Sequence, residues 1–284
     1  YPFSLDNDVY PHIIEETEDK LNEELTSYFP LEFQGEAVVK IGRRAYELIL
    51  EHAHKTGYDV IVMGSQGLHA DHIIRGHVTE KVIRFSQVPV LSISGTMMPD
   101  STNNILVPTD YSDFSLKAVF PASVIAGRLS SDITLFHVRE LHGTEPDTRG
   151  QESDENALKR FKSKVADRLE DFLDQRPHSR LRLHRMEDGK LELHLDHDDL
   201  VYKIPLHLEQ VRGISAHYEI VDYAEEYASM VVIATHGRSG LTHVFMGSTA
   251  EKVVQWAKIP VMTIRPKEMK EKGKKQSSAE FREK

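Results

Sequence analysis

A run of helix, strand, glycine-rich loop, helix and strand occurs twice in this chain, and that duplication restricts the fold more than any other feature. In the first copy Glu47-Leu48-Ile49-Leu50-Glu51-His52-Ala53 has a helical pattern, Val60-Ile61-Val62-Met63 reads as a strand and Gly64-Ser65-Gln66-Gly67 as a loop. Gly76-His77-Val78-Thr79-Glu80-Lys81-Val82-Ile83 then leads to a last strand at Val88-Pro89-Val90-Leu91-Ser92-Ile93. In the second copy the same order runs from Tyr218-Glu219-Ile220-Val221-Asp222-Tyr223-Ala224 through Met230-Val231-Val232-Ile233-Ala234-Thr235-His236-Gly237. It continues with Gly247-Ser248-Thr249-Ala250-Glu251-Lys252-Val253-Val254 and closes on Ile259-Pro260-Val261-Met262-Thr263-Ile264. Val60-Ile61-Val62 and Val231-Val232-Ile233 are short continuous apolar runs, the pattern of parallel strands covered on both faces. Ser215 is placed to cap the helix that carries Ala216, Ile220, Tyr223, Ala224 and Tyr227 on one side. Strands alternating with helices predict βαβ units with right-handed crossovers, an α/β fold.

The second copy has an opening that the first lacks. Asn104-Ile105-Leu106-Val107-Pro108-Thr109-Asp110 predicts a strand ending in a polar turn, Ser115 to Leu129 a helix, and Ile133-Thr134-Leu135-Phe136-His137-Val138 a second strand. With Leu25 set against Leu173, the corresponding first strand of copy one falls about forty residues before Tyr1, given boundary errors of a few residues. The first domain is therefore expected to be incomplete. Its three missing elements would come from sequence outside this chain or from another chain by swapping. The expected domains are residues 1–98, the later part of a first domain, and 99–268, a complete second domain. A hairpin is expected as an insertion at 178–205, and 269–284 as a disordered charged tail. In the hairpin Leu181, Leu183, Leu191, Leu193 and Leu195 alternate with charged residues around Glu187-Asp188-Gly189-Lys190. A three-residue turn keeps Leu183 and Leu195 on one face; a two-residue turn would split the leucines.

Composition narrows the function. At 284 residues, 39% hydrophobic and 28% charged, the chain suits two soluble-type domains. No apolar run reaches the ~18–20 residues of a membrane span, and the opening Tyr1-Pro2-Phe3 does not resemble a secretory signal, so a cytoplasmic location is expected. The absence of cysteine excludes disulfides, a thiol nucleophile and thiolate metal sites. A formal net charge of −10 argues against nucleic acid as a partner.

The chemistry concentrates in Thr235-His236-Gly237, nine residues, then Gly247-Ser248-Thr249. A glycine after a buried strand lets backbone N–H groups approach a ligand, and a helix start offering N–H groups and hydroxyls suits phosphate. Ser248 and Glu251 have capping-box spacing. His236 and His243 lie near this loop as acid–base candidates, His236 better suited to orienting backbone. Glu192, His194, Asp196 and Asp198 alternate onto one strand face, a set that suits a divalent ion, although a solvated hairpin face accounts for it more simply. No Ser/His/Asp order or paired-carboxylate motif stands out.

Val107-Pro108-Thr109-Asp110, Ala234-Thr235-His236-Gly237-Arg238-Ser239-Gly240-Leu241 and Gly247-Ser248-Thr249-Ala250-Glu251-Lys252-Val253 together resemble the universal stress protein family. The resemblance covers 104–266 as one domain and about 11–95 as the later half of another. It implies tandem domains with open five-stranded parallel sheets in the order 3-2-1-4-5 and helices on both faces. The ligand would lie where connections from strands one and four diverge. Carried over from ATP-binding members, Pro108, Thr109, Asp110 and Val138 would hold the adenosine end, and Ile233, Ala234 and Thr235, which end strand four, would also belong to the binding site. Gly237, Arg238, Gly247, Ser248 and Thr249 would cradle the phosphates of ATP with Mg²⁺. Ala234 departs from the family pattern by putting a methyl group where the first glycine stands. Copy one departs further: eight residues separate Gly67 from Gly76, His77 replaces the hydroxyl residue, and the strand-one aspartate is missing.

The resemblance implies a nucleotide-dependent stress-response module with at most slow ATP hydrolysis and an unidentified protein partner. Its two domains, or two chains, would pair through their last strands. An alternative is an interaction and dimerisation protein of the same family that binds no nucleotide. An ATP-consuming ligase or nucleotidyltransferase would need a substrate domain or activation motif that the sequence does not display.

Overall fold

The computed structural model describes residues 9–64, 77–94, 103–141, 154–176, 178, 180–236 and 246–265. The chain divides into two units, Tyr1–His52 and Ala53–Lys284. In the first, helix α1 (Val9–Tyr28) is followed by a single 3-10 turn at Leu31–Phe33, and helix α2 (Ala45–Thr56) begins.

The second unit holds strand β1 (Ile61–Gly64), helix α3 (His77–Phe85), β2 (Val90–Ile93) and β3 (Asn104–Pro108). Helices α4 (Asp113–Leu116) and α5 (Val119–Leu129) lead to β4 (Asp132–Glu140) and α6 (Asp154–Asp174). The strands β5 (Leu181–Arg185), β6 (Leu191–His197) and β7 (Leu200–Gly213) precede α7 (Ala216–Tyr227), β8 (Met230–Ala234), α8 (Ser248–Trp256) and β9 (Val261–Ile264).

The strands form one sheet in the order β1-β2-β9-β8-β3-β4-β7-β6-β5. Its middle, β7-β4-β3-β8-β9, is parallel throughout and reproduces the expected 3-2-1-4-5 order of the second copy. The copies do not build separate sheets. Copy one contributes β1 and β2, parallel to each other, and β2 runs antiparallel to β9 with Val90 opposite Thr263 and Ser92 opposite Val261. Side chains lock this seam: Ser92 Oγ donates to the Val261 carbonyl at 3.2 Å, Thr263 Oγ1 to the Val90 carbonyl at 3.2 Å, and Ser94 Oγ to the Lys258 carbonyl.

Ile105, Val107, Ile133 and Leu135 pack with Ala122 and Ala126 of α5 and with Val165, Leu169, Phe172 and Leu173 of α6, all buried. On α7, Tyr223 sets its ring 4.5 Å from that of Phe136, a buried residue of β4. At the far end Leu181 opposes Leu195 and Leu183 opposes Leu193. The turn between them has three residues: Met186 N–H donates to Lys190 O at 2.8 Å and Gly189 N–H to Met186 O at 2.9 Å, with Gly189 at φ +83°. The next turn, Asp198-Asp199, has φ 51° and 59°, as a two-residue hairpin connection requires.

Two elements differ from the sequence reading. Ser115–Leu129 is broken at Lys117-Ala118 into α4 and α5. Pro121 explains the break: it has no N–H to donate to the carbonyl four residues earlier, at Lys117, and its ring crowds that carbonyl. The Val60-Ile61-Val62 run is not a covered central strand, because β1 is at the end of the sheet and Val62 is 57% exposed. The Ser65–Gly76 loop and the tail from Lys267 to Lys284 lie outside the described residues.

Candidate functional site

The carboxyl end of β3 turns sharply at Thr109 and Asp110. Thr109 N–H donates to Phe136 O at 2.8 Å, extending the β3–β4 ladder by one residue. Its buried hydroxyl lies 2.9 Å from Ser115 Oγ and accepts from Tyr111 N–H at 3.0 Å. Asp110 Oδ1 accepts from Ser112 N–H at 3.0 Å and from Ser112 Oγ at 2.6 Å, an Asx turn. Ser112 Oγ in turn accepts from Ser115 N–H at 3.2 Å and caps α4. Tyr111 is thereby held at φ 63°, a left-handed conformation uncommon for a bulky side chain. Its ring rests 4.4 Å from that of His137, whose Nδ1 lies 2.8 Å from the Thr109 carbonyl oxygen. These contacts hold the Asp110 carboxylate at the mouth of the strand.

The second wall is the end of β8. Thr235 N–H donates to Ile264 O at 2.9 Å, and Thr235 Oγ1 lies 2.9 Å from His236 Nδ1. Gly247 N–H donates to Thr235 O at 2.8 Å, which pins the start of α8 against the strand. A Cβ at Gly247 would sit 3.3 Å from that same carbonyl oxygen, so a larger residue here would require the strand end to give by a few tenths of an ångström. Gly247, not Ser248, is the N-cap; Ser248 is the first helical residue, and no side chain caps α8 among the described residues. The expected capping box is therefore not formed, since the residue three after the N-cap is Ala250. The first N–H groups of α8, with the Ser248 and Thr249 hydroxyls, stand at the positive end of the helix dipole.

Between these walls is a cavity of about 340 Å³. Of the residues expected at the site, Pro108, Thr109, Asp110, Val138, Ile233, Ala234, Thr235, Gly247, Ser248 and Thr249 line it. Gly237 and Arg238 lie outside the described residues, as does His243. The cavity also takes in Ser115, Phe136, His137, Ala216, Ile220, His236 and Ala250, which the motifs do not assign to it. Phe136 has a sequence signal, since it is two residues before Val138 on the same strand. Ala216 and Ile220 carry only an ordinary helix-face signal. The lining is mixed: Ile220, Ile233, Phe136 and Val138 are apolar, while Thr109, Ser115, Thr235, Ser248 and Thr249 carry hydroxyls and Asp110 a carboxylate.

Ser215 precedes α7 as expected, but its hydroxyl lies 2.7 Å from His217 Nδ1 instead of capping the helix, and Glu140 Oε1 accepts from Ala216 N–H at 2.7 Å. On the hairpin, Glu192 Oε2 lies 3.0 Å from His194 Nε2, and the rings of His184 and His194 stack at 3.7 Å. No group of three or more His, Asp or Glu side chains among the described residues is arranged to hold a metal ion. No helix among them is long and apolar enough to cross a membrane.

Comparison with known proteins agrees with this architecture. The sequence model of the universal stress protein family matches residues 4–94 and 101–265. A universal stress protein of Mycolicibacterium smegmatis is 25% identical over 215 residues, which cover 73% of this chain and 62% of that protein. Universal stress protein MJ0531 of Methanocaldococcus jannaschii is 36% identical over 63 residues, 22% of this chain and 36% of its own length. The chain thus matches less than two thirds of either relative. Among solved structures, a universal stress protein from Archaeoglobus fulgidus superposes with a TM-score of 0.57 at 19% identity, covering 93% of this chain and 81% of that one. A functionally unknown protein of Pseudomonas aeruginosa does so with a TM-score of 0.54 at 17% identity, covering 89% and 78%. These two likenesses concern the fold alone. The two matched segments span most of the sequence and coincide with the two repeats, and the chain belongs to the universal stress protein family.

Proposed function

We propose that the second copy binds an adenine nucleotide, ATP with Mg²⁺, and that occupancy of this site governs the chain's contact with a protein partner in a cytoplasmic stress response. The convergence of Thr109-Asp110 with Gly247-Ser248-Thr249 on one cavity, although they are far apart in sequence, supports this reading. A ligand with a flat apolar part, hydroxyls and an anionic tail suits a lining that mixes apolar side chains with hydroxyls, a carboxylate and the start of α8. The base would rest among Ile220, Ile233 and Val138. The Asp110 carboxylate, with about four acceptor positions on its two oxygens, would take nucleoside hydroxyls. The α8 N-terminus with Ser248 and Thr249 would hold phosphate oxygens. Magnesium commonly binds through phosphates and water, so the lack of a protein cage among the described residues is compatible with it.

Any hydrolysis is expected to be slow, because no motif of the sequence supplies a base for attacking water, and the titratable groups described around the cavity are oriented by the protein's own contacts. Asp110 Oδ1 accepts from Ser112. The histidines lining the cavity are His137 and His236. His137 Nδ1 faces the Thr109 carbonyl and His236 Nδ1 faces Thr235 Oγ1, so both rings are tied to the protein.

A second reading, a family member that binds no nucleotide and acts through its strands, is favoured by one observation. The last strands of the two copies already pair, β2 with β9, inside one chain. The domain boundaries 1–98 and 99–268, with the insertion at 178–205 and the tail 269–284, are part of the proposal.

Titration calorimetry with ATP and Mg²⁺ separates the two readings. Saturable binding is expected, and Asp110→Ala should weaken it by about tenfold, the scale of one hydrogen bond to a charged group. His77→Ala, in copy one, should leave the affinity unchanged. No heat and no thermal shift at millimolar nucleotide would favour the interaction protein.

A further inference from the structure

Helix α8, whose first turn forms the phosphate side of the cavity, carries an acidic residue, Glu251, in that turn. A carboxylate there suits the helix dipole, but it opposes a polyphosphate arriving at the same end. Its partner comes from the other copy: Arg84, near the end of α3, donates from Nη2 to Glu251 Oε1 at 2.8 Å. The same nitrogen donates to Glu80 Oε1 at 2.8 Å, four residues earlier on its own helix. The Arg84 carbonyl accepts from Arg265 Nη1 at 3.3 Å, just beyond β9. The arginine thus stands at the seam between copies with both its side chain and its backbone engaged.

The repeat shows that this arrangement is one-sided. Glu80 and Glu251 are equivalent positions, each four residues after the glycine that opens its helix. Four residues further, copy one has Arg84 and copy two has Gln255. Copy one therefore supplies a cation to the helix of copy two, and Gln255, the matching residue of copy two, carries no charge. The direction agrees with the sequence: the copy that receives the charge is the one with the nine-residue spacing, the Gly247-Ser248-Thr249 turn and the strand-one aspartate.

We propose that Arg84 is a positioning residue for the site in copy two, offsetting the Glu251 charge so that the α8 N-terminus accepts polyphosphate. This rests on the nucleotide reading above and adds the selection of a charged tail over the bare nucleoside. The side chains are 35% and 42% exposed, so the effect is a modest one.

The test measures ATP–Mg²⁺ and adenosine affinity by calorimetry on the full chain and on Arg84→Gln, Glu251→Gln and the double variant. Arg84→Gln is expected to weaken ATP about threefold to tenfold, a range set by a partly screened charge, and to leave adenosine unchanged. Glu251→Gln alone should bind ATP at least as tightly as the parent. The double variant should return ATP affinity to within about twofold of the parent, because the opposing carboxylate is gone. A merely structural tie between the copies would leave the double variant as weak as Arg84→Gln, and that result overturns the inference. So would equal ATP affinity of parent and Arg84→Gln, or an equal loss of ATP and adenosine. If the parent protein does not bind ATP, the nucleotide reading itself falls, and this inference with it.

Discussion

His217 shows how the burial of one side chain sets a pH response. It is buried at the start of α7, with its ring 4.4 Å from that of Tyr218 and 4.9 Å from that of Trp256. Nδ1 meets Ser215 Oγ, while Nε2 is buried with no partner among the described residues. Burial, aided by the charge of Lys252 and opposed by Glu140, holds its pKa below the ordinary 6.5. The unfolded chain therefore binds this proton more readily than the folded one. The contribution to stability is whole above about pH 6.5 and is lost as pH falls toward the folded value. His184, lowered by burial and by His194, acts with the same sign. His217→Phe is expected to show a smaller fall in Tm between pH 7.5 and pH 5 than the parent, by a few degrees at about 2–4 °C per kcal/mol. Parallel melting curves for the two proteins across that range would refute the assignment.

Individual strands, turns and helices differ in how far local sequence encodes them. The β5–β6 turn is legible because Gly189 and the odd-numbered leucines act together, one setting the bend and the others the face. Gly189→Ala tests the backbone alone, since a Cβ there meets nothing within 4 Å while φ stays at +83°. A loss of about 1 kcal/mol is expected in urea unfolding, from the left-handed conformation. No change in midpoint would mean the turn relaxes. The division of Ser115–Leu129 escapes a periodicity argument despite Pro121, because the apolar positions continue across the break and periodicity does not register a lost N–H. Ser248 reads as a cap because its hydroxyl and Glu251 have the right spacing. The N-cap is instead Gly247, whose N–H bonds the Thr235 carbonyl, a contact between two elements.

Across the full sheet, the consequential feature is that copy one extends the sheet of copy two. The β2–β9 pairing uses, within one chain, the strand edge that could alternatively have paired two chains. A chain paired in this way should sediment as a single species of 32.4 kDa, whereas pairing of β2 with β9 of another copy would double that mass. Sedimentation velocity across a concentration series distinguishes them, and a concentration-independent dimer that a charge at Val261 converts to monomer would point to exchange of these strands between chains.

The repeat, the α/β class, the order of the parallel strands through the family likeness, and most of the residues around the cavity can all be read from the linear chain. The repeat and the class depend on apolar periodicity and on glycines and hydroxyls at strand and helix ends, which neighbouring residues express; the strand order and site residues such as Pro108, Thr109, Asp110 and Val138 come through the family likeness. The family likeness offers pairing of the last strands between two domains or two chains; that β2 meets β9 inside one chain, antiparallel with Val90 opposite Thr263, that Arg84 meets Glu251, and that His137, Ile220 and Ala216 reach the same hollow became visible only in the folded molecule. Each of these joins segments distant along the chain, and such meetings are fixed by how the whole sheet assembles and packs, for which short-range patterns carry no signal.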